Sequence, residues 1–462
     1  MIGAKVGLLP LYLKLYDDAL PGVRRECEAF HQAVVTDLQK EGVSVYTSDF
    51  CRVHSEIQSA LNQFRDIGID LLITLHVAYS PSLEAATSLI EWNGPILILD
   101  TTPDFTFSQD VSAERIMFNH GIHGVQDLAS VLRQHGRPYD IVAGHYAQSP
   151  VLSRAAGRAR AAVAAQEFRN ARVLRVGTLF KGMGDFLVDE NLLKSRFGIQ
   201  VDTISVSDLV EEVISITEEE VDAENREDGA AYLCHANLKA LSYSNRVGLG
   251  LRKRLTQDKY SAFTMNFMSF DGTPPIPTVP FLEASKAMAR GLGYAGESDA
   301  LTAAFVGSLN AGFGNTTFTE VFCPDWENNT LFLSHMGEYN PVVAAEKPIL
   351  IEKSFPWTNA QDPVTIACAP ASGPAILANL SPGPEGSFRL IITPVQIIQD
   401  QVKGEMAKTI RAWIRPVLPL PEFLERYSIA GGTHHSALIL GRDSEEIAAY
   451  GRYLKIETIL LE

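Results

Sequence analysis

The first 150 residues alternate between short, continuous apolar runs and longer stretches in which apolar residues recur with a helical period. Uninterrupted apolar runs of this length are typical of strands covered on both faces, and they lie at residues 6–9, 71–75, 96–99 and 141–143. The stretches between them predict amphipathic helices at residues 23–41, 57–67, 82–92 and 124–134. This alternation predicts a parallel sheet with helices on both faces. Ligands of such sheets bind at the carboxyl ends of the strands, here next to His76, Thr101 and His145.

Two further blocks follow. Residues 153–172 are rich in Ala and Arg and predict a long helix that leads to strands at residues 173–176 and 201–206. From about residue 331 the pattern changes to short strands separated by Pro- and Gly-rich turns, at residues 331–334, 349–352, 364–368 and 388–393. We therefore predict two doubly wound parallel-sheet α/β domains followed by a β-rich, barrel-like or sandwich-like C-terminal domain. The predicted boundaries are residues 1–170, 171–315 and 316–462.

Charge and cysteine content limit the partners and the compartment. The chain has 55 acidic and 39 basic residues and a formal net charge of −16, so we expect neither nucleic acid nor an anionic membrane surface as a partner. No apolar run is long enough to span a bilayer, and residues 1–16 lack a signal-peptide pattern. The five cysteines include no C-x-x-C pair, which argues against a disulfide framework or a structural zinc site. We expect a cytoplasmic protein.

Carboxylate and imidazole side chains are concentrated in four segments of the second half. Glu297 follows a glycine-rich run, Glu320 lies in a predicted strand, and His335 ends an apolar strand. The pair His434 and His435 follows two glycines. Two glutamates with two histidines form a donor set that suits Mn²⁺ or a similar divalent cation. Spacing alone leaves open that these residues are structural, since a glutamate at a helix start can simply favour the helix dipole.

The glycine-rich run at residues 291–296 fits the pattern G-x-G-x-x-G. A helical pattern precedes it, whereas the dinucleotide-binding motif requires a strand at that place. We therefore predict that these glycines end a helix and that the chain does not bind a dinucleotide there.

Six segments resemble motifs of the L-arabinose isomerases, in the same order along the chain. They are residues 294–299 (YAGESD, where the family has FAGEGD), 317–320 (TFTE, TSFME), 333–336 (LSHM, GSHM), 344–350 (AAEKPIL, AAEEKPIL), 372–376 (SGPAI, TGPAI) and 430–435 (AGGTHH, AGGAHH). Because all six fall in register, the chain is identified as a member of the arabinose/fucose isomerase superfamily.

The resemblance implies an aldose–ketose isomerase, an intramolecular oxidoreductase that acts through an enediol intermediate on a pentose or deoxyhexose. It also implies three domains per subunit, a homohexamer with active sites shared between subunits, and Mn²⁺ or another divalent cation such as Co²⁺ or Mg²⁺. Carried over by position, the implied metal ligands are Glu297, Glu320, His335 and His435. Glu297 and Glu320 are also the implied catalytic acid and base, and the implied substrate contacts are His434, Phe267 and, less directly aligned, Met183.

The chain departs from the family around the expected pocket. Residues 7–13 lack the glutamine and histidine of the family's G-S-Q-H-L-Y-G motif, and Val321 replaces an aspartate after Glu320. Residues 355–357 (FPW) stand where the family has glycines and small apolar residues. Since the implied ligands are intact, we expect isomerisation of a different sugar. The alternatives are a metal-dependent sugar epimerase or lyase, or a non-catalytic sugar-binding protein on the same scaffold.

Overall fold

The computed structural model describes residues 2–462 of the chain. These residues form two compact units, Ile2–Val163 and Ala164–Glu462. The chain passes from the first unit to the second within one long helix, Val151–Arg169.

The first unit contains one parallel sheet. Its strands are β1 (Lys5–Leu11), β2 (Ser44–Thr47), β3 (Leu71–His76), β4 (Ile96–Asp100) and β5 (Asp140–Ala143), in the order β2-β1-β3-β4-β5. Its helices are α1 (Lys14–Ala19), α2 (Pro21–Lys40), α3 (His54–Ile67), α4 (Ser82–Ile90), α5 (Ile116–Asn119), α6 (Gly121–Gln134) and α7 (Val151–Arg169). β3 is buried along its whole length, as a continuous apolar run requires. The predicted parallel α/β arrangement is confirmed.

The second unit begins with another parallel sheet. The strands in this part are β6 (Arg172–Val176), β7 (Gln200–Ile204), β8 (Leu233–Cys234), β9 (Ala262–Met265) and β10 (Gly293–Gly296). The helices are α8 (Glu190–Phe197), α9 (Val210–Ile214), α10 (Glu218–Ala231), α11 (Leu238–Gln257), α12 (Phe281–Ala289) and α13 (Ala300–Phe313). Four of the strands form a parallel sheet in the order β10-β9-β6-β7. This confirms the second predicted α/β block.

The rest of the second unit is mostly antiparallel. Its strands are β11 (Thr316–Asp325), β12 (Thr330–Ser334), β13 (Ile349–Glu352), β14 (Val364–Ala367), β15 (Gly373–Pro382), β16 (Phe388–Ile397), β17 (Ala412–Pro416), β18 (His435–Leu440) and β19 (Glu457–Leu460), with helices α14 (Leu420–Ile429) and α15 (Ser444–Leu454). Six strands form a barrel in the order β15-β18-β11-β12-β17-β16, which the pairing of β15 with β16 closes. The predicted β-rich, barrel-like end of the chain is confirmed. The strands β13 and β14, however, lie outside the barrel, in a small sheet with β8.

The register of the barrel determines where the acidic and histidine side chains lie. Glu320 of β11 pairs with His435 of β18 on one side and with Ser334 of β12 on the other. Directly opposite residues of an antiparallel pair place their side chains on the same face, about 5 Å apart. Glu320 and His435 are therefore neighbours, and His335 follows Ser334 at the end of β12.

Within residues 2–462, no helix is long and apolar enough to cross a bilayer. All five cysteines are free. Gly291 adopts a positive φ of 99° directly after the last residue of α12 and its cap, a conformation that suits glycine at a helix end. The division into three domains, with boundaries after residues 170 and 315, stays a prediction.

Candidate functional site

Five of the seven predicted site residues form one cluster in the second unit. Glu297 directly follows β10, Glu320 lies in β11 and His335 directly follows β12. His434 directly precedes β18, and His435 is the first residue of that strand. Nε2 of His435 is 3.3 Å from a carboxylate oxygen of Glu297, and Nε2 of His335 is 3.8 Å from Glu320. Nε2 of His434 lies 3.7 Å from Glu320 and 4.0 Å from Glu297.

The cluster contains two overlapping sets of three possible ligand atoms. One set is Glu297, His434 and His435, the other is Glu320, His335 and His435, and within each set the atoms lie within 4.8 Å of one another. Within residues 2–462, Oε2 of Glu297 and Nε2 of His335 and His435 are buried and have no hydrogen-bond partner. Buried polar atoms without partners are costly, so their convergence indicates that a cation fits here. Carboxylate oxygens and imidazole nitrogens suit Mn²⁺ and related divalent ions.

A carboxylate lies behind each of the three imidazoles. The pairs and their separations are Glu338–His335 at 2.7 Å, Asp185–His434 at 2.6 Å and Asp299–His435 at 3.0 Å. In every pair the carboxylate oxygen faces Nδ1, so we assign the proton to that nitrogen. This tautomer leaves the Nε2 lone pair available to a cation or a substrate. None of these carboxylates is among the site residues predicted from the sequence.

Glu338 is, like Asp299, a fully buried member of the three carboxylates that orient the imidazoles. Besides His335, its carboxylate accepts hydrogen bonds from the backbone nitrogen of Gly337 at 2.7 Å and from the hydroxyl of Tyr294 at 2.5 Å. Burial alone would raise the pKa of Glu338, but the His335 imidazole and the two other donors hold it below its usual value. Glu338 is thus an anion that fixes the orientation of the imidazole.

The backbone around Glu297 is unusually constrained. Glu297 and Ser298 both adopt left-handed conformations, with φ values of 59° and 69°, which cost roughly 1–3 kcal/mol each. The hydroxyl of Ser298 donates to the carbonyl of Thr178 at 2.8 Å and helps to hold this conformation. A Cβ atom on the preceding Gly296 would lie only 2.5 Å from Cε1 of His335. Glycine therefore lets the imidazole come close to the backbone beside Glu297.

The charges of the cluster shift the pKa values of its members. Burial lowers the pKa of both imidazoles at the start of β18, but neighbouring carboxylates outweigh it and raise the pKa of His434 to about 10 and that of His435 to about 9. Burial raises the pKa of Glu320. Burial alone would raise the pKa of Glu297, but the neighbouring imidazoles of His434 and His435 outweigh it and lower the pKa. Two adjacent carboxyl groups with pKa values displaced in opposite directions are typical of an acid and base pair.

Exposure differs across the cluster. The side chains of His434 and Glu320 are 27% and 20% exposed, whereas those of His335 and His435 are only 1% and 0% exposed. A small molecule therefore reaches the cluster from the side of His434 and Glu320.

Aromatic rings pack around the buried imidazoles. Phe186 stacks on His435, with ring centroids 4.8 Å apart and planes at 8°. Phe318 contacts the rings of His335 and His435 edge-on, at 4.7 and 5.0 Å. These contacts restrict the orientations of the two imidazoles. Neither phenylalanine was named among the predicted site residues.

Phe267 and Met183, the two other predicted substrate contacts, lie on flanking segments. Phe267 is buried just after β9, and its ring packs against Phe180 at 5.4 Å and Phe355 at 5.5 Å. Met183 is half-buried and lies two residues before Asp185, in the segment between β6 and α8. The structure does not bring either side chain into the ligand cluster, and their contact with substrate stays a prediction.

In the first unit, polar side chains gather at the carboxyl edge of the sheet, where ligand-binding loops were predicted. His76 ends β3 and Thr101 follows β4, and both side chains are buried. Within residues 2–462, Nδ1 of His76 and the hydroxyl of Thr101 have no hydrogen-bond partner. Burial lowers the pKa of His76 to about 4, so its imidazole is neutral. Nearby in the same unit, the hydroxyl of Tyr16 lies 2.7 Å from Nε2 of His120.

Comparison with known proteins identifies the class and the family. The family of L-arabinose isomerase central domains matches residues 188–311, and that of L-arabinose isomerase C-terminal domains matches residues 315–457. Together these matches cover more than half of the chain. The fold and the family matches define the protein as an enzyme, an intramolecular oxidoreductase of the aldose–ketose isomerase type.

Similar proteins from three bacteria are named L-arabinose isomerase. The relative from Shouchella clausii is 27% identical over 403 residues, which are 85% of this chain and 81% of the relative. The relative from Nocardioides sp. is 28% identical over 413 residues (86% and 81%), and that from Bacillus subtilis is 26% identical over 448 residues (91% and 88%). The chain belongs to the L-arabinose isomerase superfamily.

Proposed function

We propose that the protein is a metal-dependent sugar isomerase that interconverts an aldose and a ketose, either a pentose or a 6-deoxyhexose, through an enediol intermediate. The observation that carries this proposal is the convergence of two carboxylates and three imidazoles, of which three atoms are buried without a hydrogen-bond partner. We propose Mn²⁺ as the metal, with Co²⁺ or Mg²⁺ as alternatives, because such donor sets do not discriminate sharply between divalent ions.

The proposed ligands are Glu297, Glu320, His335 and His435. Two of them lie on adjacent barrel strands and one follows the end of a third, so the barrel presents a preformed set of donors. Preformed ligands lower the reorganisation that binding requires. When bound, a divalent cation would polarise the sugar carbonyl and lower the pKa of the adjacent hydroxyl.

The side chains themselves would move the protons. Isomerisation transfers one proton between C1 and C2 of the sugar and another between the two oxygens, so it needs a base near carbon and an acid near oxygen. Glu297 and Glu320 lie within 4.0 Å of the same imidazole nitrogen of His434, and we propose that they serve these two roles. His434, whose Nδ1 is held by Asp185, would accept a hydrogen bond at Nε2 from a substrate hydroxyl.

The variants Glu297→Gln and Glu320→Gln test the roles of the two carboxylates. Each keeps the side-chain volume but removes the proton carrier and a charged ligand, so we expect kcat to fall by about 10²–10⁴-fold with the fold retained. Glu346→Gln, which changes an exposed carboxylate on the same unit, is the matched control and should retain full turnover. Near-native turnover in either site variant would exclude that residue as the proton carrier.

The identity of the product tests the reaction class. An isomerase gives an aldose–ketose pair, an epimerase gives a second aldose or ketose of the same carbon number, and a lyase or dehydratase gives a shorter or dehydrated product. NMR of the reaction mixture separates the three. We propose the isomerase reaction, because the similar proteins that match most of this chain are named isomerases.

We also propose a cytoplasmic location and assembly into a homohexamer, as expected from the resemblance to the family. Sedimentation equilibrium of the purified protein tests the assembly: a single species near six times the 50.6 kDa chain mass is expected. A stable monomer would contradict it.

A further inference from the structure

The segment 335–338 carries His335 and is held by several hydrogen bonds. The carboxylate of Glu338, the last residue of this segment, accepts hydrogen bonds from the His335 imidazole and from the backbone nitrogen of Gly337. Met336 is the one half-exposed residue of the segment. Its carbonyl oxygen accepts a hydrogen bond from the ammonium group of Lys353 at 2.5 Å. Among residues 2–462, no backbone donor reaches this carbonyl. The lysine therefore holds the Met336 carbonyl from outside the segment.

Lys353 is an unusual lysine for this chain. Its side chain is half-buried, and within the described part of the chain no carboxylate lies within ion-pair distance of its nitrogen. By contrast, the buried Lys286 has its ammonium 2.8 Å from Glu224 and 2.5 Å from Asp228. Burying an ammonium group without an ion pair is costly. Departures from such a rule are expected mainly where function requires them.

The backbone position of Lys353 is well fixed. The residue directly follows β13, and its backbone nitrogen donates to the carbonyl of Pro363 at 2.9 Å. Two residues later, the buried ring of Phe355 packs edge-on against Phe267 at 5.5 Å and Phe281 at 5.2 Å. Because the backbone of Lys353 is fixed in this way, its side chain can hold the neighbouring segment 335–338 in place.

We infer that Lys353 is a positioning residue, which holds the Met336 carbonyl so that Nε2 of His335 points at the proposed metal. The inference deepens the proposed function and rests on it, because His335 is a proposed ligand. Lys353 acts on the ligand geometry rather than on the sugar. Its replacement should therefore weaken metal binding before any substrate is present, and it should change kcat at limiting metal more than KM for the sugar.

Metal titration of variants tests this inference. Mn²⁺ is titrated calorimetrically into metal-stripped wild-type protein, Lys353→Met and Lys353→Arg. We expect the methionine variant to bind about tenfold more weakly, the lower end of the effect of residues that orient metal ligands, and the arginine variant to recover most of the loss. Lys347→Met is the matched control, because the exposed Lys347 also donates to a backbone carbonyl, that of Ala230 at 2.8 Å. It should bind like the wild type.

The visible spectrum of bound Co²⁺ separates positioning from a general loss of stability. If Lys353 positions His335, the absorption bands of Co²⁺ bound to Lys353→Met should shift relative to the wild type, since those bands report ligand geometry. Lys353→Gln provides a second variant should the methionine variant fail to fold, because its shorter side chain carries no charge. An affinity within twofold of the wild type in a folded variant, or weaker binding with an unchanged Co²⁺ spectrum, would overturn the inference. A wild-type protein that binds none of Mn²⁺, Co²⁺ and Mg²⁺ would instead overturn the proposed metal function itself.

Discussion

Replacing Glu338 by glutamine should weaken metal binding although Glu338 is not a proposed ligand. Three donors point at its carboxylate, from His335, Gly337 and Tyr294, whereas an amide has a single acceptor oxygen. If that oxygen faces the tyrosine, the amide NH₂ faces Nδ1 of the imidazole and favours the tautomer in which Nε2 carries the proton. If it faces the imidazole, the buried tyrosine hydroxyl loses its acceptor.

In the first arrangement Nε2 must lose its proton before it can bind a cation, and in the second a neutral amide replaces the anion that makes the imidazole a stronger ligand. Loss of a carboxylate that hydrogen-bonds to a metal-binding histidine typically weakens metal affinity by about 10–100-fold. We therefore expect Glu338→Gln to raise the dissociation constant for Mn²⁺ by a factor in that range. Calorimetric titration of the metal-stripped variant measures this directly. Glu346→Gln, on an exposed carboxylate, controls for the loss of one charge. Wild-type affinity in a folded Glu338→Gln protein would refute the assignment of Glu338 as the group that orients His335.

Two further predictions concern packing and pH. Gly296→Ala places a Cβ atom 2.5 Å from Cε1 of His335, so it should displace the imidazole, cost about 1–3 kcal/mol of stability and weaken Mn²⁺ binding. Thermal unfolding and titration check both effects, and unchanged affinity would show that the ring is free to move. Elsewhere in the second unit, burial raises the pKa of Glu224, but ion pairs with the half-buried Arg252 and the buried Lys286 outweigh it and lower the pKa to about 2 from 4.5. The folded-state pKa is depressed, so this contribution of about 3 kcal/mol is present above about pH 4.5 and is lost as the pH falls towards 2. Glu224→Gln should therefore flatten the acid side of a urea-unfolding profile, and an unchanged slope between those pH values would contradict the ion-pair assignment.

The fold could be predicted largely from local patterns. The continuous apolar runs that became β3 and β4 and the amphipathic stretches between them predict a parallel α/β unit, because the period of burial is visible in the sequence itself. The closure of the barrel could not be predicted, because it depends on the pairing of β15 with β16 and of β11 with β18, which no local pattern contains. For the same reason the strands β13 and β14 were assigned to the barrel region, although they pair with β8 instead.

In the candidate site, too, contacts between residues that are distant in the sequence could not be predicted. Glu297, Glu320 and the histidines could be singled out by residue type and by resemblance. Asp185 could not, because it orients His434 across 249 residues of sequence, and only the folded chain brings the two together. Glu338 could have been predicted from the sequence, because it lies three residues after His335 and an imidazole ligand generally requires a nearby acceptor for its second nitrogen.

The most direct test of the account is sugar interconversion by the metal-stripped protein in D₂O, with and without added Mn²⁺, over a panel of pentoses, 6-deoxyhexoses and their ketoses. We expect NMR to detect an aldose–ketose pair for at least one sugar, and we expect the exchange to depend on added Mn²⁺ and to be lost in Glu320→Gln. Protein that binds Mn²⁺ and leaves every sugar of the panel unconverted would contradict it.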